Sequence, residues 1–104
     1  RVTICAEILE AVAQGRILPF YQPQIDLGSG AVDGLEVLAR WDQPERGILP
    51  AGAFLLALQD PETARQIGEA VLRQVLADCR HWRDAGVTVP RVWLNLAPGV
   101  FRDP

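Results

Sequence analysis

A chain of 104 residues, 49% of them hydrophobic, has the material for one small domain with its own core and too much apolar matter for disorder. The net charge of −3 argues against binding to a nucleic-acid polymer, which requires a basic face. No apolar run approaches the ~20 residues of a membrane helix, so no membrane contact by this segment and a cytoplasmic location are expected.

All ten basic residues are arginine, which reads as genome bias, although arginine does suit phosphate clamps. Cys5 and Cys79 lie far apart, each in a helical pattern, without zinc or redox spacing. They are expected as buried thiols with no disulfide. The start at Arg1 and the stop at Arg102-Asp103-Pro104 just after a strand give the expectation of a piece of a longer polypeptide.

Taken in order, residues 3–14 are predicted as a helix, with Thr3 as N-cap and Ile4, Ile8 and Val12 on one stripe. Gly15 stops it. Arg16 to Leu27 is predicted as a strand, but Pro19 and Pro23 remove ladder donors and make it an edge or irregular strand. Phe20, Gln22, Gln24 and Asp26 share one face, and Tyr21, Pro23, Ile25 and Leu27 the other. Gly28-Ser29-Gly30 is a tight turn, so the next strand is an antiparallel neighbour.

That strand, Val32 to Trp41, is predicted as central and buried. Leu35, Val37, Ala39 and Trp41 form a continuous apolar face suited to packing under helices. Gly34, Glu36, Leu38 and Arg40 share the opposite face, which puts a carboxylate and a guanidinium about 13 Å apart. Charges buried without partners are expensive, so this face is expected to line a site. Asp42 to Pro50 reads as a Pro- and Gly-rich loop, ending in Ile48-Leu49-Pro50, which either closes over a site or packs on the core.

Ala51 to Leu58 is predicted as a short apolar helix. A long helix then runs to Ala85, with Asp60 as N-cap, Pro61 at its first position and Gly86 as C-terminal cap. Ile67, Val71, Val75 and Cys79 make its apolar stripe, which Leu72, Leu76 and Trp82 widen. His81 is expected at the surface. Arg91 to Leu96 is a short buried strand. The last two strands are joined through helices, which implies a parallel crossover, with any site at the carboxyl ends of the strands. Arg40 and Asn95 sit at such ends.

Asn95 is flanked by Leu94 and Leu96, and if both strands put their leucines and valines outward, Glu36 and Asn95 both point inward. A carboxylate and an amide oxygen are hard ligands, suited to magnesium or manganese. The same two groups also suit a Glu–Asn hydrogen bond in a polar core. Arg40 suits a phosphate, or an ion pair with Asp42 or Glu36. Gln22 and Gln24 suit a ligand edge or each other. Trp41, Trp82 and Trp93 read as core aromatics.

With those residues in place, the chain resembles the EAL domain family of bacterial cyclic di-GMP phosphodiesterases. The matching segments are Phe20-Tyr21-Gln22-Pro23, Gly34-Leu35-Glu36-Val37-Leu38-Ala39-Arg40-Trp41, Pro44-Glu45-Arg46-Gly47, Phe54, Val71-Leu72, Trp93-Leu94-Asn95-Leu96 and Phe101. The resemblance implies an α/β fold: the N-terminal half of a modified TIM (β/α)8 barrel with an antiparallel first strand. Residues 1–104 are then the N-terminal portion of a single EAL domain.

By that resemblance Glu36 is the signature glutamate, catalytic through a bound Mg2+ or Mn2+, and Asn95 a second ligand. Arg40 holds a substrate phosphate, and Gln22 and Leu38 contact the dinucleotide. The implied reaction is hydrolysis of one phosphodiester bond of cyclic di-GMP to linear pGpG. Val37 departs from the family's usual alanine, and Asp60-Pro61-Glu62-Thr63-Ala64 departs from its usual loop. The family's other metal carboxylates and its catalytic lysine fall beyond residue 104. The alternative is a degenerate EAL domain that binds cyclic di-GMP as a sensor, or an α/β interaction module. Fusion to other signalling domains and a homodimer are the expected wider context. Half a barrel is expected to be inactive alone, marginal in stability, and prone to associate along its open strand edge.

Overall fold

The computed structural model of the chain describes residues 4–50, 52, 55–88 and 91–94. The element order is α1 (Ile4–Ala13), β1 (Ile17–Ile25), β2 (Val32–Gln43), β3 (Gly47–Pro50), α2 (Leu55–Leu58), α3 (Pro61–Asp84) and β4 (Val92–Leu94). Two of the sequence expectations, Thr3 as N-cap and Asn95 as a site residue, fall outside the described residues.

β2 is the central strand. β1 pairs antiparallel along one side, with Gln22 opposite Glu36 and Leu18 opposite Arg40. The other side is shared: β4 pairs parallel at Leu35–Val37, and β3 antiparallel at Arg40–Gln43. Among the described residues β1 is an outermost strand, and its prolines suit that place. Pro19 and Pro23 lie four apart, so their missing donors fall on one side of the strand, the side away from β2. The turn after β1 is closed by Asp26, whose backbone N–H donates to Ala31 and whose carboxylate accepts from the Gly28 N–H at 2.7 Å.

The segment read as a loop over 42–50 is instead a hairpin. The Gln43 side chain accepts from the N–H groups of Glu45 and Arg46 at 3.0 and 2.7 Å, and Gly47 takes φ 82°. Only glycine enters that region cheaply, so Gly47 is where the chain can reverse into β3. Leu49 then packs on the core, one of the two expectations for it, but from a strand.

The period-2 pattern of β2 is realised. Val37, Ala39 and Trp41 are buried beneath the helices, while Glu36, Leu38 and Arg40 are half-buried on the other face. The core joins those three to Ile8 and Ala11 of α1, Ile17 of β1, Ala57 of α2, and Ile67, Val71 and Val75 of α3. A fully buried isoleucine such as Ile67 contributes about 1.5–3 kcal/mol relative to solvent exposure.

α3 starts where Pro61 follows its N-cap. The Asp60 side chain accepts from the Thr63 backbone N–H and hydroxyl, and these bonds hold its carboxyl below the ordinary value. Two polar ties lock α3 onto β1. The Gln74 amide donates to the Ile17 carbonyl at 2.6 Å, and the Tyr21 hydroxyl donates to Asp78. Tyr21 also meets Trp82 edge-to-face at 5.0 Å. The expectation that Leu72 and Leu76 widen the buried stripe is corrected: they are 38% and 47% exposed, because the helix turns the Ile67–Val71–Val75 line to the sheet. Cys5 and Cys79 are free and half-buried at the core's margin, so the thiols are unpaired as expected but not fully buried. His81 is exposed. No helix among the described residues is long and apolar enough to cross a membrane.

Candidate active site

The helices cover one face of the sheet, and the other face carries the candidate residues. Register places Leu18, Phe20, Gln22 and Gln24 of β1 beside Arg40, Leu38, Glu36 and Gly34 of β2 in that order. On the far side of β2, Trp93 of β4 stands directly beside Glu36. Side chains of paired residues leave a sheet on the same face, so all of these project into one surface. Gln22, Glu36, Leu38 and Arg40 are thus brought onto one face.

Glu36 is half-buried in a cleft of about 370 Å³ lined by Gln24, Trp93 and Leu94. The Gln24 amide donates to its carboxylate at 3.3 Å. Gln24 therefore serves Glu36 rather than Gln22, because a diagonal neighbour two residues along an antiparallel strand lies within reach of a long side chain. Arg40 takes neither of the ion-pair partners considered for it. Asp42 instead stands 3.8 Å from Arg16. The Arg40 guanidinium donates to the Ala39 carbonyl at 2.9 Å and lies over the Phe20 ring, 5.8 Å from its centroid.

The reading of Trp93 as a core aromatic is corrected. It is 39% exposed, and it is Val92 and Leu94 that pack on the core. Its indole lies against Gly34, where a Cβ would come within 2.6 Å of the ring. The Arg91 guanidinium covers the ring at 5.2 Å and reaches Asp33 at 3.1 Å. The signal for this was available: in the sequence Trp93 has the parity of Asn95, the residue expected to face the site, and not that of the core-facing Val92 and Leu94. Trp82 is half-buried against Tyr21, at the edge of the core rather than within it.

For a metal, the chemistry of the donors is right in kind. The Glu36 carboxylate is a hard oxygen donor in a cleft with room for water, as magnesium and manganese prefer. No group of three or more His, Cys, Asp or Glu side chains capable of holding an ion occurs among the described residues, so further ligands have to come from elsewhere.

A family model described as the EAL domain matches residues 6–104. An uncharacterized protein of Synechocystis, sll1895, is 31% identical over 104 residues, 100% of this chain and 15% of that protein. The oxygen sensor protein DosP of Escherichia coli is 29% identical over 102 residues, 98% of this chain and 13% of that protein. The bifunctional diguanylate cyclase/cyclic di-GMP phosphodiesterase MucR of Pseudomonas aeruginosa is 30% identical over 91 residues, 88% of this chain and 13% of that protein. Among solved structures, the c-di-GMP complex of the PaMucR phosphodiesterase matches with a TM-score of 0.79 and 28% identity, over 92% of this chain and 39% of that one. The chain spans 13–15% of the length of these three curated relatives.

Proposed function

The chain belongs to the EAL domain family and is related to cyclic di-GMP phosphodiesterases, and from that premise we propose that it is the N-terminal portion of a single EAL domain that hydrolyses cyclic di-GMP to linear pGpG in bacterial second-messenger signalling. The observation that carries the reading is the line Glu36, Leu38, Arg40 on the open face of β2, with Gln22 beside Glu36. One face thereby offers a metal-type carboxylate, a phosphate-type guanidinium and groups suited to a nucleotide edge.

In this reading Glu36, together with Asn95, holds Mg2+ or Mn2+. Such an ion, when bound, supplies Lewis acidity toward the phosphodiester and lowers the pKa of water. The protein's own residues do the rest. Gln24 keeps one Glu36 oxygen hydrogen-bonded and so restricts the carboxylate's rotation. Arg40 offers a planar donor fork to a phosphate oxygen. Gln22 and Leu38 line the dinucleotide between those two charges. The Trp93 indole shields one side of the cleft from water, which strengthens the charge interactions within it.

The test is magnesium- or manganese-dependent release of pGpG from cyclic di-GMP by the intact parent protein, with Glu36→Ala and Arg40→Ala alongside. Turnover is expected in the wild type. It should be lost in Glu36→Ala, and KM should rise in Arg40→Ala. A well-folded wild type that binds cyclic di-GMP without turnover would refute hydrolysis and establish a sensor.

A further inference from the structure

Phe20 stands on the open face and no role has yet claimed it. It is 42% exposed, although it is a large aromatic in the middle of a nine-residue strand. Single exposed apolar residues are common and need no explanation. Phe20 differs in its surroundings. It stands directly beside Leu38, with Gln22 two residues along its own strand. The Arg40 guanidinium covers its ring. Three of its neighbours on that face are therefore the residues assigned above to the dinucleotide.

We propose that Phe20 is a specificity-determining residue of this site: the face of its ring turned away from Arg40 is the platform on which one purine base of the dinucleotide stacks, while Arg40, held over the other face, meets the phosphate. The inference rests on the cyclic di-GMP reading. Its physical basis is that a phenyl ring offers a π-face to any base, and a purine, having the larger face, gains more from it. The Arg40 contacts support the second half. One guanidinium nitrogen is committed to the Ala39 carbonyl and the group is steadied by the ring, so its remaining N–H donors are pre-aimed rather than free to rotate. Leu38 closes the apolar side of the same platform.

The experiment is calorimetric titration of the intact protein with cyclic di-GMP and with cyclic di-UMP, in metal-chelating buffer so that binding is read without hydrolysis. The variants are Phe20→Leu, Phe20→Tyr and Arg40→Ala. Phe20→Leu keeps an apolar side chain at an exposed strand position, and a thermal melt checks that it folds. It is expected to weaken cyclic di-GMP by about 10-fold, and cyclic di-UMP by less, so that purine preference narrows. Phe20→Tyr keeps the ring and should stay within about threefold of the wild type. Arg40→Ala should weaken both ligands alike, since each carries the same phosphates. Wild-type affinity in Phe20→Leu, or a Phe20→Tyr as weak as Phe20→Leu, would overturn the platform while leaving the dinucleotide reading intact. A wild type that binds neither ligand in chelating buffer, nor cyclic di-GMP once Mg2+ is restored, would overturn both.

Discussion

Replacing Gly34 by alanine tests the packing beneath Glu36 with a single methyl group. Gly34 does not have a positive φ, so the backbone itself accepts alanine. Removing a glycine also restricts the unfolded chain, which by itself stabilises by about 0.4–1 kcal/mol. The opposing term is steric. The new Cβ would lie 2.6 Å from Trp93 Cζ3 and 2.9 Å from the Arg91 carbonyl oxygen, both well inside the 3.4 Å at which ordinary contact begins. The indole can swing. The carbonyl cannot, because it accepts the Leu35 N–H at 2.8 Å and belongs to the pairing of β2 with the β4 segment. Relief therefore means prising the two strands apart, and overpacking of this kind costs about 1–3 kcal/mol. The steric term wins, and Gly34→Ala is expected to destabilise by about 1–2 kcal/mol net. Urea unfolding followed by tryptophan fluorescence measures it. Trp93→Leu in the same background should recover part of the loss, as a double-mutant cycle would show. Stability equal to or above the wild type in Gly34→Ala would refute the claim that the glycine is there to seat Trp93.

Three further outcomes follow from the core, the α3–β1 tie and the α3 cap. Ile67→Ala removes a side chain with no solvent exposure from the centre of the core, and should cost about 2–5 kcal/mol in the same urea assay. Burial, and then the hydrogen bond to Asp78, push the Tyr21 phenol above its ordinary 10.0, so its contribution is complete below pH 10.0 and is lost as the pH rises beyond it. Melting temperature measured from pH 8 upward should therefore fall more steeply in the wild type than in Tyr21→Phe, and parallel curves would refute the assignment. The Asp60 carboxyl is held below its ordinary 3.8 by its bonds to Thr63, so its contribution is present above that pH and is lost as the pH falls through the lowered value. Asp60→Ala should lower the melting temperature at pH 7, and Asp60→Asn, an equally good N-cap, should restore most of it.

Sequence periodicity made the centre of this fold legible because one strand carries opposite chemistry on its two faces. A slip of one residue in β2 would bury Glu36 and Arg40 under the helices and expose Val37 and Ala39, so only one register is affordable. The cap at Asp60-Pro61 and the turn at Gly28-Ser29-Gly30 were legible for a similar reason, since each residue type there has one backbone use. β3 was not, because four residues ending in proline carry no alternation to read, and what makes them a strand is pairing with Asp42 and Trp41. Leu72 and Leu76 misled because a helix with more apolar residues than its sheet can cover must leave some outside, and only the packing decides which. The site divides along the same line. Glu36, Leu38 and Arg40 share a face by parity alone, Gln22 joins them only through the register of β1 on β2, and their motif identified the family. The Phe20–Arg40 contact and the Trp93–Gly34 seat depend on register between strands, which no single strand's pattern contains. Those two contacts also flank the motif residues on either side. What the motif leaves open is therefore the shape of the surface between its charges, and under the proposed function it is that surface which would have to tell one dinucleotide from another.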